Sequence, residues 1–212
     1  MNQTTESNTK TNTIRRSVSL LVPVMPSVFF VPWRGNTMTT TVEATKTITL
    51  YHGTSSRFLK QIQRDGIQPR GITGKSVYED ELISDAERVY LTDTYAAQFG
   101  ALAVRKYGGQ VLICKVDVPA DELLADTDFA DCDGQQSLQH AGTCSIARGV
   151  MPTRMWVVSK NNYRMVFDDF EEPKVYAGMR HAGCGKGVRQ AMQDLLCLGN
   201  RHVLRDGEWV EM

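Results

Sequence analysis

At 212 residues the chain is long enough for one sizeable domain with its own core and a small appendage, and two full domains would be a tight fit. Lysine plus arginine and aspartate plus glutamate both number 24, which excludes an overall basic field for nonspecific nucleic-acid binding and an acidic block of the kind that keeps a tail disordered. The five cysteines are an odd number at irregular spacing; they argue against a disulfide framework and for free thiols in a reducing compartment, so the expected location is cytoplasmic.

The opening "MNQTTESNTKTNT" is polar and low in complexity and cannot build a core. Ile14 to Gly35 sets an arginine pair before an apolar run, but Pro23, Pro26 and Pro32 break it, and it is too short and interrupted to span a bilayer. A second methionine, Met38, precedes the first convincing strand. Residues 1–44 are therefore expected to be a disordered or over-long extension, with the folded part beginning near Thr45 and no membrane partner.

"TITLY", Thr47 to Tyr51, alternates and is rich in β-formers, so it reads as a strand. Ser55 or Ser56 can cap a helix whose apolar face is Phe58, Leu59 and Ile62 and whose stop is Gly66. Arg70 to Glu87 has no sustained period and reads as a long surface loop; its "GITGKS" lacks the first glycine of a phosphate loop. "RVYLTD" is a second strand, closed by Thr92 or Asp93 as a cap for a helix carrying Tyr95, Phe99 and Leu102. "QVLICKVDV" is nearly continuously apolar, as a buried central strand must be. The acidic stretch from Ala120, with Asp126, Asp128, Asp131 and Asp133, reads as a solvated loop, and "RMWVVS", "YRMVF" and "EEPKVYAG" as three further strands. Near the end Val188, Met192, Leu195 and Leu196 form one helical stripe, and Asp206-Gly207 sits between two alternating runs as a hairpin turn. The reading is an α+β chain, with a domain over residues 45–176 and a C-terminal helix plus β-hairpin over 177–212 packed on it.

His52, Gly53 and Thr54 follow the first strand, and Ile62, Gly66, Ile67 and Pro69 follow in the helix and its exit. This set resembles the first motif of the NAD-dependent ADP-ribosyltransferases of the poly(ADP-ribose)-polymerase and diphtheria-toxin type. Val89, Tyr90, Leu91, Thr92 and Asp93 resemble the second motif, with Arg88 where a glycine is common. The two motifs cover about a fifth of the chain. The resemblance implies a split antiparallel β-sheet core with a few flanking helices, NAD+ as co-substrate, and transfer of ADP-ribose with nicotinamide release.

By the same resemblance, His52 and Thr54 bind ribose, Gly53 binds the nicotinamide amide, and Tyr90 stacks on the ring with Phe99, or Tyr95, on the other side. The residue chemistry is compatible: a histidine can hydrogen-bond a ribose hydroxyl, and a glycine lets backbone groups approach a carboxamide. The family's third residue is a glutamate at the head of a late strand. Counting back from "GVMPTRM" places that position within Ser137 to Thr143, where no acid occurs; Gln139 is the first candidate, with His140 and Thr143 behind it. A neutral group there argues against polymer formation and for mono-ADP-ribosylation of a protein or nucleic-acid acceptor, with residues 71–87 expected to touch the acceptor.

Two alternatives stay open: an enzyme like the RNA 2'-phosphotransferases, which share a His-Gly-Thr opening, and a non-catalytic module that binds NAD or ADP-ribose. His181, Cys184, Cys197 and His202 have the spacing of a small zinc module. Their ligand order is unusual and thiols are common in cores, so no metal is assigned.

Overall fold

The computed structural model describes residues 45–76, 85–127, 132–167, 170 and 184–212, with side chains of the last segment from Gly187 onward. All of these fall within one compact unit that begins at Glu43. The elements run β1 (Thr47–Ser55), α1 (Leu59–Asp65), α2 (Arg70–Thr73), β2 (Val89–Thr92), α3 (Ala96–Tyr107), β3 (Val111–Pro119), α4 (Gly134–Ala141), β4 (Thr143–Ile146), β5 (Arg154–Val158), α5 (Lys160–Phe167), α6 (Cys184–Leu198), β6 (Asn200–Arg205) and β7 (Glu208–Glu211). The strands form one antiparallel sheet in the order β4-β2-β1-β3-β5-β6-β7, so the chain is α+β.

Alternation along β3 explains the layering. Leu112, Cys114, Val116 and Val118 point to one face of the sheet, where they join Leu50, Leu91, Ile146 and Met155 under Ile62 of α1. Val111 and Ile113 point to the other, against Ala96, Ala97 and Ala101 of α3, Tyr163 of α5 and Met192 and Leu195 of α6. Both faces of β3 are therefore buried from Val111 to Cys114, where its sequence is a continuous apolar run, and beyond that Val116 and Val118 stay buried while Lys115 is half-buried and Asp117 exposed. Leu50, Leu112 and Ile113 are each 0% exposed, and each such burial contributes roughly 1.5–3 kcal/mol.

The Asp206-Gly207 turn closes the β6–β7 hairpin with φ of 50° and 84°, the two positive values a type I′ turn requires. This hairpin continues the sheet by pairing with β5, and β7 is its outer strand.

Three local expectations change. "YRMVF" is not a strand but most of α5: Tyr163, Val166 and Phe167 share one helical face against the second core, and the Ser159 hydroxyl accepts from the Asn162 amide at the helix start. The acidic stretch is not wholly irregular, because Asp133 and Gln136 form a reciprocal capping box that launches α4. The loop from Arg70 opens with the single turn α2, and residues 77–84 lie outside the described residues. "EEPKVYAG" also lies outside them. Among the described residues no helix is long and apolar enough to cross a membrane.

Candidate functional site

His52 is not at the end of β1. The strand runs on to Ser55, in register with β3 over nine residues from Thr47↔Pro119 to Ser55↔Val111. Its register with β2, by contrast, consists of Tyr51↔Thr92. His52 is thus the first residue of β1 past its pairing with β2.

Backbone alternation fixes what the next residues present there. Ala120 N–H donates to the Lys46 carbonyl and Ser56 N–H donates to the Gln110 carbonyl, so even-numbered residues of β1 turn their N–H and C=O toward β3. Tyr51 and Gly53 turn theirs the other way, toward β2. For Gly53 that is the opening between the two strands, where no β2 residue is in register with it.

The side chain of His52 reaches across the opening. Its Nδ1 lies 3.0 Å from the Tyr90 carbonyl oxygen, which can only accept, so Nδ1 carries the proton and donates. Burial pushes the histidine below its ordinary value of 6.5, more than the Tyr90 hydrogen bond raises it. The ring is therefore neutral near pH 7, and Nε2 is left as a hydrogen-bond acceptor. Thr54 follows on the opposite face from Gly53 and is buried.

Gly53 has a packing role of its own. A Cβ there would overlap the Ala96 carbonyl and lie 2.8 Å from the Gly100 amide nitrogen, so the glycine lets α3 settle onto the strand. Gly100 faces back in the same way, its own Cβ position 3.3 Å from the Thr54 carbonyl oxygen. Phe99, next to Gly100, is partly buried. Tyr95, its alternative, is 1% exposed and immediately precedes α3, so the ring is buried in the interior.

Tyr90 is partly buried on β2. Its hydroxyl accepts from the Asp85 amide at 2.9 Å and lies 3.2 Å from the Thr127 hydroxyl. Arg88, where the resembled motif often has glycine, bridges the same two approaches: its guanidinium pairs with Asp85 at 2.9 Å and donates to the Ala125 carbonyl at 3.2 Å.

The Gly-Ile-x-Pro exit of α1 is tied to "GVMP" by paired backbone bonds between Ile67 and Val150. The late strand that precedes this turn is β4, and it pairs with β2 through Tyr90↔Ser145 and Thr92↔Thr143. Gln139, expected at its head, instead lies with His140 on the exposed face of α4. The capping box starts that helix and Gly142, at φ 79°, ends it, so the strand can begin only at Thr143. Thr143 is 4% exposed, and its hydroxyl has no hydrogen-bond partner among the described residues. The Thr92 hydroxyl beside it donates to the Gly142 carbonyl at 2.6 Å and accepts from the amides of Thr94 and Tyr95, which pins the β4 head, the end of β2 and the start of α3 together.

Two carboxylates lie near this head. Asp93 and Asp126 both act on the Cys144 thiol, which burial first and these charges second push up to about 12. Asp93 is paired with Arg189 of α6 at 2.7 Å. Asp133 is the α4 cap, while Asp128 and Asp131 lie outside the described residues. Of the zinc-spaced set, Cys197 is exposed on α6 and His202 is buried on β6; His181 and the Cys184 side chain lie outside the described residues. Among the described residues no group of three or more histidine, cysteine or acidic side chains could hold a metal ion.

No protein-family model, curated protein or solved structure matches the chain.

Proposed function

We propose that the chain is an NAD-dependent mono-ADP-ribosyltransferase that binds NAD+ at the opening between β1 and β2 and passes ADP-ribose to a protein or nucleic-acid acceptor. The observation that carries this reading is the juxtaposition at that opening: a neutral His52 tied to the Tyr90 carbonyl, followed by a glycine whose backbone groups turn toward β2. The single register pair between β1 and β2 supports the split sheet that the resemblance implies.

In this reading Nε2 of His52 accepts from a ribose hydroxyl, and the N–H and C=O of Gly53 pair with the nicotinamide carboxamide. The rings of Tyr90 and Phe99 flank the nicotinamide. The bond from nicotinamide nitrogen to ribose C1′ breaks with its electron pair on nicotinamide, and the acceptor nucleophile forms the new bond to C1′ while losing its proton. Between those events positive charge builds on the ribose, so the site's task is to hold the dinucleotide and keep water away.

Thr143 at the head of β4 can hydrogen-bond a ribose hydroxyl but brings no charge to that cation. This favours single transfer over polymer formation, and it also keeps a second reading in play, a module that binds NAD or ADP-ribose without turnover. Nicotinamide release from NAD+ in the presence of a cell lysate separates them, with His52→Ala as control. Release that disappears in His52→Ala is the expected result. Binding of NAD+ without release would select the module, and release that survives His52→Ala would overturn the site.

A further inference from the structure

A groove of about 510 Å³ lies between α6 and the sheet face that carries Tyr51, Lys115, Arg154, Trp156 and Arg201, with Gln193 on the helix side. Tyr51 and His52 are consecutive in β1 and point to opposite faces, so this groove is separate from the His52 side of the strand. The register makes it cationic. Lys115 pairs directly with Arg154, and Arg201 pairs with Trp156, two residues along β5 from Arg154. Three positive side chains from three strands therefore adjoin on one face.

Directly opposed like charges weaken strand pairing, and little on the protein offsets them here. Lys115 reaches Asp117 at 3.6 Å. Arg154 has no acidic partner among the described residues and lies 5.9 Å over the Trp156 ring. Arg201 donates to the Met212 sulfur at 3.7 Å. Among the described residues no aspartate or glutamate side chain lines the groove. A concave, single-sign surface focuses potential, and guanidinium forks match phosphate oxygens two at a time. The volume falls in the range that encloses a small ligand, and the edges of Tyr51 and Trp156 add a flat, partly apolar wall.

We propose that this groove is a binding site for the phosphate groups of a nucleotide-sized ligand. The assignment stands whether or not the chain turns over NAD+.

ADP is the probe. Its binding to the full chain is followed by calorimetry and by alkylation of Cys197, an exposed thiol that lines the groove. The expected result is saturable binding that slows Cys197 alkylation, falls with added salt, persists in His52→Ala, and weakens about tenfold or more in Arg154→Gln and in Arg201→Gln. Adenosine, which lacks the phosphates, should not compete. Arg154→Gln should fold with an unchanged or higher melting temperature, because it removes a like-charge pair. Should it fail to fold, Arg154→Lys keeps the charge and loses the fork, and its binding should still weaken. Binding that is absent, that both glutamine variants retain, that adenosine matches, or that His52→Ala removes would overturn the assignment. Loss of nicotinamide release in His52→Ala with ADP binding intact keeps the two proposals distinct.

Discussion

β1 has two neighbours and meets them differently. On the β3 side nine residues stay in register, with one face covered by the core that holds Leu50, Leu112, Cys114 and Val116 and the other covered by α3 at the Gly53 end. On the β2 side the register is the one pair at Tyr51↔Thr92, and beyond it the contact passes to a side chain, His52 against the Tyr90 carbonyl. The same strand thus supplies a long ladder along one edge and a single register pair along the other. A ladder that has been filled cannot bind anything; one that stops early leaves an amide and a carbonyl aimed at the gap.

The contrast breaks most clearly from the closed side. Leu112→Ala removes a wholly buried side chain from β3 and should cost about 2–5 kcal/mol in urea unfolding. Gly53→Ala comes next: its new methyl meets backbone of α3 rather than a side chain that can turn aside, so about 1–3 kcal/mol is expected. Unchanged stability in that variant would mean that α3 does not rest on β1 as described.

On the open side Tyr90→Phe removes the hydroxyl that holds Asp85 and Thr127, and only about 1 kcal/mol should be lost. If it instead matched Leu112→Ala, the β2 edge would be as structural as the β3 edge and the contrast would fail.

A pH series sharpens the comparison further. His52 titrates below 6.5 when folded, so between that lower value and 6.5 the unfolded chain binds more protons. Its contribution to stability is complete above 6.5 and declines as pH falls. His52→Gln should lose less stability than the parent over that acid range, by under about 1.4 kcal/mol per pH unit, measured as the difference between their unfolding midpoints. Parallel curves would mean that His52 is not held neutral by the fold.

The strands that were legible in sequence are those whose burial is strong and local. β3 announced itself through Val111 to Cys114, buried on both faces, with Val116 and Val118 buried beyond them, and the hairpin through Asp206-Gly207, where few other residue pairs supply two positive φ values. α5 was not legible because Tyr163, Val166 and Phe167 are β-formers by composition, and only contact with the second core decides for a helix. Gln139 lies in α4 rather than at the head of β4, a placement the sequence carries in the capping-box spacing of Asp133 and Gln136. His52 and Tyr90 were legible as candidates because each lies inside a compact motif. Lys115, Arg154 and Arg201 were not, since they come from three strands and only the register brings them to one face.

The two margins of the sheet also differ. β4 is buried along its length, with Leu124 bridging to Ser145, whereas β7 runs outermost with a glutamate at each end of "EWVE". An outer strand with spare hydrogen-bonding groups can recruit another chain and seed aggregates; Glu208 and Glu211 place repelling charge where a second copy would have to align. Replacing both with threonine would turn the hairpin into an adhesive edge, and solubility during expression would be the property to suffer.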